Sequence, residues 1–189
     1  MTTLLIVIAI FGLVTLFVWW LYNSLVTAKA RVQESWSQID VQLKRRADLI
    51  PNLVETVKGY MVHERGIFDR LTEARKAMQS AKGAKEAEGA NRQLRGILDR
   101  LFALAEDNPE LKASENFRAL QGDLSDTEDK IAYARQFYNT NVMEYNIRIK
   151  SFPNVLLAGM FGFGPEDFFE ADEAERAKPE VDFGQNDKL

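Results

Sequence analysis

The chain has 189 residues, 46% of them apolar, with 5 prolines, 11 glycines and no cysteine. That suits one domain plus an anchor, and the missing cysteine excludes a disulfide framework, a thiolate metal site, a thiol nucleophile and a lipid-modified cysteine. The net charge of -4 is uneven: residues 165–189 hold 9 of the 28 acids and 3 of the 24 bases, leaving 19 acids and 21 bases elsewhere. A nearly neutral body with an acidic tail lacks the basic face that nucleic-acid binding needs.

The first element is apolar. Residues 4–21 read LLIVIAIFGLVTLFVWWL, and no charged side chain precedes Lys29. As a helix these residues extend about 27 Å, close to the hydrocarbon thickness of a bilayer. Leu4, Phe11 and Leu16 lie within the predicted span, and Trp19, Trp20 and Tyr22 form an aromatic belt at its downstream end. A cleaved signal peptide would need a basic leader and a shorter apolar run, although Ala28-Lys29-Ala30 has the small-x-small form of a cleavage site. A buried core helix would show a polar face, and this one shows none. Lys29, Arg31, Lys44, Arg45 and Arg46 all lie downstream of the span and no Lys or Arg lies upstream. The positive-inside rule therefore places the downstream domain in the cytoplasm.

From Tyr22 onward the spacing is helical. Leu25, Val32 and Ile39 recur every seventh residue, and Trp36 and Leu43 form a companion row. Pro51 has two readings: a kink within one helix, freeing the carbonyl of Ala47, or the first turn of a new helix capped by Asp48. Helical spacing then continues from Ile50 to Met78. Ser80 to Glu88 reads as a loop at Lys82-Gly83 with a weak helix start behind it. Ala90, Leu94, Ile97, Leu98, Leu101 and Leu104 mark the next helix. Asn108-Pro109 opens another, with Asn108 as N-cap and Pro109 in the first turn.

The last predicted helix runs from Asn108 to Ser151, about 65 Å. Phe117, Leu124, Ile131, Tyr138, Tyr145 and Phe152 fall on every seventh position; Leu120, Thr127 and Ala134 make a second row that Asn141 and Arg148 break. With Trp36 and Ile39 these residues form the predicted bundle seam. The expected fold is all-α: a transmembrane helix (residues 1–22), then an up-and-down antiparallel bundle of three to four long helices with coiled-coil-like packing (residues 23–152). Residues 153–189 make an apolar, glycine-rich segment and an acidic tail. Leu156, Leu157, Met160, Phe161, Phe163, Phe168 and Phe169 in that segment are candidates either to close the bundle's end or to contact membrane or another subunit.

Little in the chain suggests chemistry. His63 is the sole histidine, and the residues a helical turn away, Gly59, Tyr60, Gly66 and Ile67, offer it no carboxylate. Neither a zinc-protease spacing, a di-iron bundle pattern, a phosphate loop nor a nucleophile elbow is present. Lys44-Arg45-Arg46 reads as a solvated face making i,i+4 ion pairs with Asp40 and Asp48. Tyr138-Asn139 and Tyr145-Asn146 repeat one heptad apart, and Tyr22-Asn23 occurs beside the span. Tyr–Asn hydrogen bonds that set how the helices meet are the structural reading of this repeat, and a ligand pocket is the functional one.

Several strings resemble the LemA family of bacterial membrane proteins: YNSLV (22–26), WSQIDVQLKRRADLIPNLVETVKGY (36–60) with His63-Glu64, FRALQGDLSDTEDKIAYARQFYN (117–139) and VMEYNIRIKSFPNVLLAGMFGF (142–163). The resemblance covers nearly the whole chain. It implies an anchored bundle of long antiparallel helices in the bacterial inner membrane. It also implies relatives associated with magnetosome membranes, and it carries no catalytic residues or cofactor to this chain. The expected role is a scaffold or adaptor that meets the lipid bilayer and a second copy or another membrane protein, with no nucleic acid and no small-molecule substrate. A membrane-remodelling oligomeric coat is the alternative, and an enzyme or sensor using His63, Glu64 or the Tyr–Asn repeat ranks third.

Overall fold

A computed structural model describes residues 1–61 and 65–169. His63, Glu64 and the acidic tail from residue 170 onward lie outside the described residues. Six helices follow one another among the described residues: α1 (Thr2–Lys58), α2 (Arg65–Ser80), α3 (Gly83–Glu106), α4 (Pro109–Ala113), α5 (Glu115–Lys150) and α6 (Asn154–Ala158).

α1 is a single helix of 57 residues, about 86 Å long. Its two parts follow different rules. Leu4, Phe11, Leu16, Trp19 and Trp20 are all more than 60% exposed, on every side of the helix. This is the one described segment long and apolar enough to cross a membrane. From Leu21 the buried positions settle into alternating steps of three and four: Leu21, Leu25, Ala28, Val32, Ser35, Ile39, then Leu43, Arg46, Ile50, Leu53 and Val57. That spacing keeps one stripe facing the bundle for ten turns.

Pro51 neither breaks the helix nor starts a second one. A proline nitrogen cannot donate to the carbonyl four residues back. That carbonyl belongs to Ala47, and the guanidinium Nε of Arg75 on α2 donates to it at 3.0 Å. A neighbouring helix thus replaces the bond that Pro51 removes.

α1, α2, α3 and α5 form an up-and-down bundle in which α5 lies antiparallel to α1 along most of its length and α2 packs on α3. Ser24 faces Arg148, Trp36 faces Tyr138 and Arg46 faces Glu128, so α5 descends back to the end of the span. Leu71, Leu94, Leu98, Leu101 and Leu111 are fully buried with the α1 stripe, joined by the aromatic rings of Phe68, Phe117, Tyr138, Tyr145 and Phe169.

Two expectations need correction, and a third holds to within one residue. The loop expected at Lys82-Gly83 lies at Ala81-Lys82, and the helix behind it is α3, which begins at Gly83, whose φ of 76° suits the residue without a side chain. Glu86 accepts the backbone N–H of Lys82 at 2.9 Å and so caps the new helix. The long terminal helix is not continuous from Asn108. Asn108 does cap α4, accepting from the Leu111 N–H at 3.1 Å. Ser114 then stops α4 and caps α5, accepting from Phe117 at 3.4 Å. At the other end α5 stops at Lys150, so Phe152 leaves the seam and stands 79% exposed.

Ile39, Phe117, Leu124, Ile131, Tyr138 and Tyr145 are buried, and Trp36 is half-buried against them. The second row runs Thr127, Ala134, then Val142 and Ile149, one residue later than a strict heptad. A straight helix drifts by about 20° per heptad, so an occasional step of eight keeps the row facing its partner. This drift puts the polar Asn141 and Arg148 at the flank.

Candidate functional site

Where α5 returns to the span, the chain turns sharply. α6 ends at Ala158; then Gly162 takes φ 73°, the Phe163 N–H donates to the Ala158 carbonyl at 2.9 Å, and the Gly162 N–H donates to Gly159 at 3.4 Å. This pair of bonds, with a glycine in the left-handed region, is a Schellman turn. It launches an extended strap, residues 163–169, which runs back along α5.

No strand lies beside the strap among the described residues; side chains of α5 satisfy its peptide groups instead. The Asn146 Nδ2 donates to the Glu166 carbonyl at 2.9 Å and its Oδ1 accepts the Glu166 N–H at 3.0 Å. Asn139 treats Phe169 the same way, at 2.8 and 2.9 Å. The Tyr145 hydroxyl donates to Gly164 at 3.0 Å and the Tyr138 hydroxyl to Asp167 at 2.8 Å. Each Tyr-Asn pair therefore holds one carbonyl and, two residues on, a complete peptide edge. The repeat distances match: seven helical residues advance about 10.5 Å and three extended residues about 10 Å.

The Tyr–Asn repeat thus spends these hydrogen bonds on the strap backbone rather than between helices. It is a clamp for the chain's own strap. Tyr22 is separate from it: its ring meets Phe161 and Phe163 at 5.1 and 5.8 Å, while Asn23 only donates to the Trp19 carbonyl. Burial drives the Tyr138 hydroxyl up from 10.0 to about 12, helped by Glu166 and Asp167. Burial also raises Tyr145; Lys29 opposes the shift and Glu166 supports it. Both phenols keep the proton that the strap needs. Lys29 closes the strap from α1 through an ion pair with Glu166 at 3.3 Å.

The apolar residues proposed from sequence separate into two groups. Phe169, only 1% exposed, is core; its ring sits 6.3 Å from Trp36, and Phe163 is half-buried against the same cluster. Phe169 is therefore withdrawn from any outer interface. Leu156, Met160, Phe161 and Phe168 remain exposed, and Leu157 is partly covered.

Arg46 is the residue that sequence reasoning misplaced. Lys44 pairs with Asp40 at 2.6 Å as expected, and Arg45 reaches across to Asp126 on α5 at 3.4 Å. Arg46, however, is buried: its guanidinium bonds Asn91 on α3 at 2.8 Å and pairs with Glu128 on α5, which also meets Arg95. Burial lowers the Arg46 pKa, and Glu128 opposes that shift. The signal was legible in spacing: Arg46 stands three residues after Leu43 and four before Ile50, on the stripe itself.

A fully exposed apolar helix, continuous with a four-helix bundle whose strap is clamped beside it, defines a membrane-anchored helical-bundle protein. The chain belongs to the LemA family, whose profile matches residues 35–183. It is 26% identical over 174 residues to Magnetosome protein MamQ of Magnetospirillum gryphiswaldense, covering 78% of this chain and 64% of that protein. It is likewise 26% identical to Magnetosome protein MamQ 1 of Paramagnetospirillum magneticum, over 79% of this chain and 64% of the relative. Protein LemA of Metamycoplasma hominis is 25% identical over 82% of this chain and 71% of its own length. The chain thus spans about 64% of the length of these magnetosome relatives.

Proposed function

We propose that the chain is a non-catalytic, membrane-anchored scaffold or adaptor of the bacterial inner membrane, with its bundle in the cytoplasm, that holds a second copy or another membrane protein. The continuity of α1 carries this reading. One unbroken helix provides both the bare span and the longest stripe of the bundle core, so no hinge separates the bundle from its anchor. Exposed Val41, Tyr133 and Phe137 on α1 and α5 offer apolar contact points well clear of the span. The magnetosome relatives support a role at membranes.

The test is the mass and composition of the complex extracted into nanodiscs after cross-linking in native membranes. A discrete homo-oligomer or a stoichiometric second protein is the expected result. Monomer alone, with no partner band, overturns the reading.

A further inference from the structure

We propose that the turn between α5 and the strap, residues 151–165, is a second membrane contact: an apolar elbow seated in the lipid interface beside the span. No residue from 151 to 165 carries a charge. Five large apolar side chains point outward from this short turn: Phe152, Val155, Leu156, Met160 and Phe161, between 46% and 79% exposed. Ala158 and Phe163 face the bundle instead. An outward patch so concentrated, on a turn whose inner face is already satisfied, needs an apolar neighbour.

The position of the elbow identifies that neighbour as lipid. Phe161 packs on Tyr22, in the aromatic belt of the span. Together with Val14, Thr15, Val18, Trp19 and Tyr22 it lines a cleft of about 460 Å³. Val14 lies about 12 Å along the helix from Tyr22, toward the bilayer centre. One wall of the cleft is therefore the span itself, and the cleft has the size and apolar lining for an acyl chain. If α1 crosses the bilayer, the elbow cannot leave its surface without breaking the Tyr22 contacts and the Arg148 bond to Ser24 at 3.1 Å. The bases that the apolar segment lacks come from its surroundings: Lys150 on the last turn of α5 and Arg31 on α1 past the belt, with Lys29 nearby held by Glu166. An apolar insertion flanked by bases, sinking roughly 5–10 Å, is the arrangement of interfacial anchors.

The inference rests on α1 spanning the membrane and is independent of the scaffold role. The chain has no cysteine, so single-cysteine labels are unambiguous. Leu156→Cys and Met160→Cys, with Leu13→Cys in the span and Val41→Cys on the bundle as references, are labelled with an environment-sensitive fluorophore. Each full-length protein is placed in vesicles of phosphatidylcholine and phosphatidylglycerol containing spin-labelled acyl chains. Quenching at 156 and 160 several-fold above that at 41, strongest for the shallow spin label, is expected. Quenching at 13 with none at 156 and 160 overturns the elbow while leaving the span intact. Disulfide-linked dimers at 156 or 160 without lipid quenching assign the patch to a second copy and also overturn it. No quenching at 13 overturns both the span and the elbow that depends on it.

Discussion

Two polar layers join α5 to its neighbours, and they are built on opposite terms. In the middle of the bundle the layer is ionic: Arg46 is 3% exposed and is held by Asn91 and Glu128 from two other helices. Toward the span the contacts from α5 are uncharged: Tyr138, Asn139, Tyr145 and Asn146 spend their hydrogen bonds on the backbone of a strap, which Lys29 of α1 closes through Glu166. A buried cation needs a partner of opposite charge, because its desolvation is costly and one missing partner leaves that cost uncompensated. An amide or phenol has smaller needs, and a peptide group can meet them. The first layer therefore fixes three helices in register. The second holds an element whose departure would leave the helices in place.

The largest effect that would break this comparison lies in the ionic layer. Arg46→Ala should lower unfolding stability by about 3 kcal/mol, because Glu128 and Asn91 lose their shared partner inside the bundle. Urea denaturation reads it directly. A loss no larger than that of Lys44→Ala, an exposed member of the same basic run, would show that Arg46 is not a structural charge.

The strap should respond locally. Asn139→Ala and Asn146→Ala each remove a donor and an acceptor, with an expected cost of about 1–3 kcal/mol to strap docking. Amide exchange across residues 163–169 should accelerate while the buried core of α3 stays protected. Equal acceleration in both would make the strap part of one cooperative unit with the helices, and the contrast would fail.

The smallest effect concerns pH. The Tyr138 hydroxyl is an acid whose pKa is raised from 10.0 to about 12 by docking. The released phenol ionises first, and a phenolate cannot donate to the Asp167 carbonyl. Strap docking is thus undiminished below pH 10 and weakens as pH rises from 10 toward 12. Trp36, which touches both Tyr138 and Phe169, provides the fluorescence readout. Tyr138→Phe should shrink the transition over that range, leaving the part due to Tyr145, whose hydroxyl pKa burial also raises; an unchanged transition would place the titrating group elsewhere.

Most of the fold was legible in the residues because a helix writes its burial into local spacing. The span showed itself by apolar length, and Leu25, Val32, Ile39, Phe117, Leu124 and Ile131 gave the faces that meet. Two readings stopped short for a local reason: Ser114 ends one helix and caps the next within a run of good helix formers, and Phe152 continues the numerical heptad after the helix has ended. The candidate site was less legible. The Tyr-Asn repeat stood out as a pattern, but its partner is an extended segment 19 to 30 residues away whose contribution is backbone. Backbone leaves no signature in sequence.

Sequence alone determined that an apolar helix precedes a helical bundle, and which stripes of α1 and α5 face inward. That is so because hydrophobic period and helix length are properties of a few turns at a time. Only the tertiary structure decided that Pro51 could stay within α1, that Arg46 finds its anionic partner on α5, and that Phe169 is buried while Phe161 sits beside the span. Each of those outcomes depends on a group from a distant part of the chain: Arg75 on the Ala47 carbonyl, Glu128 on Arg46, Asn139 on Phe169 and Tyr22 on Phe161.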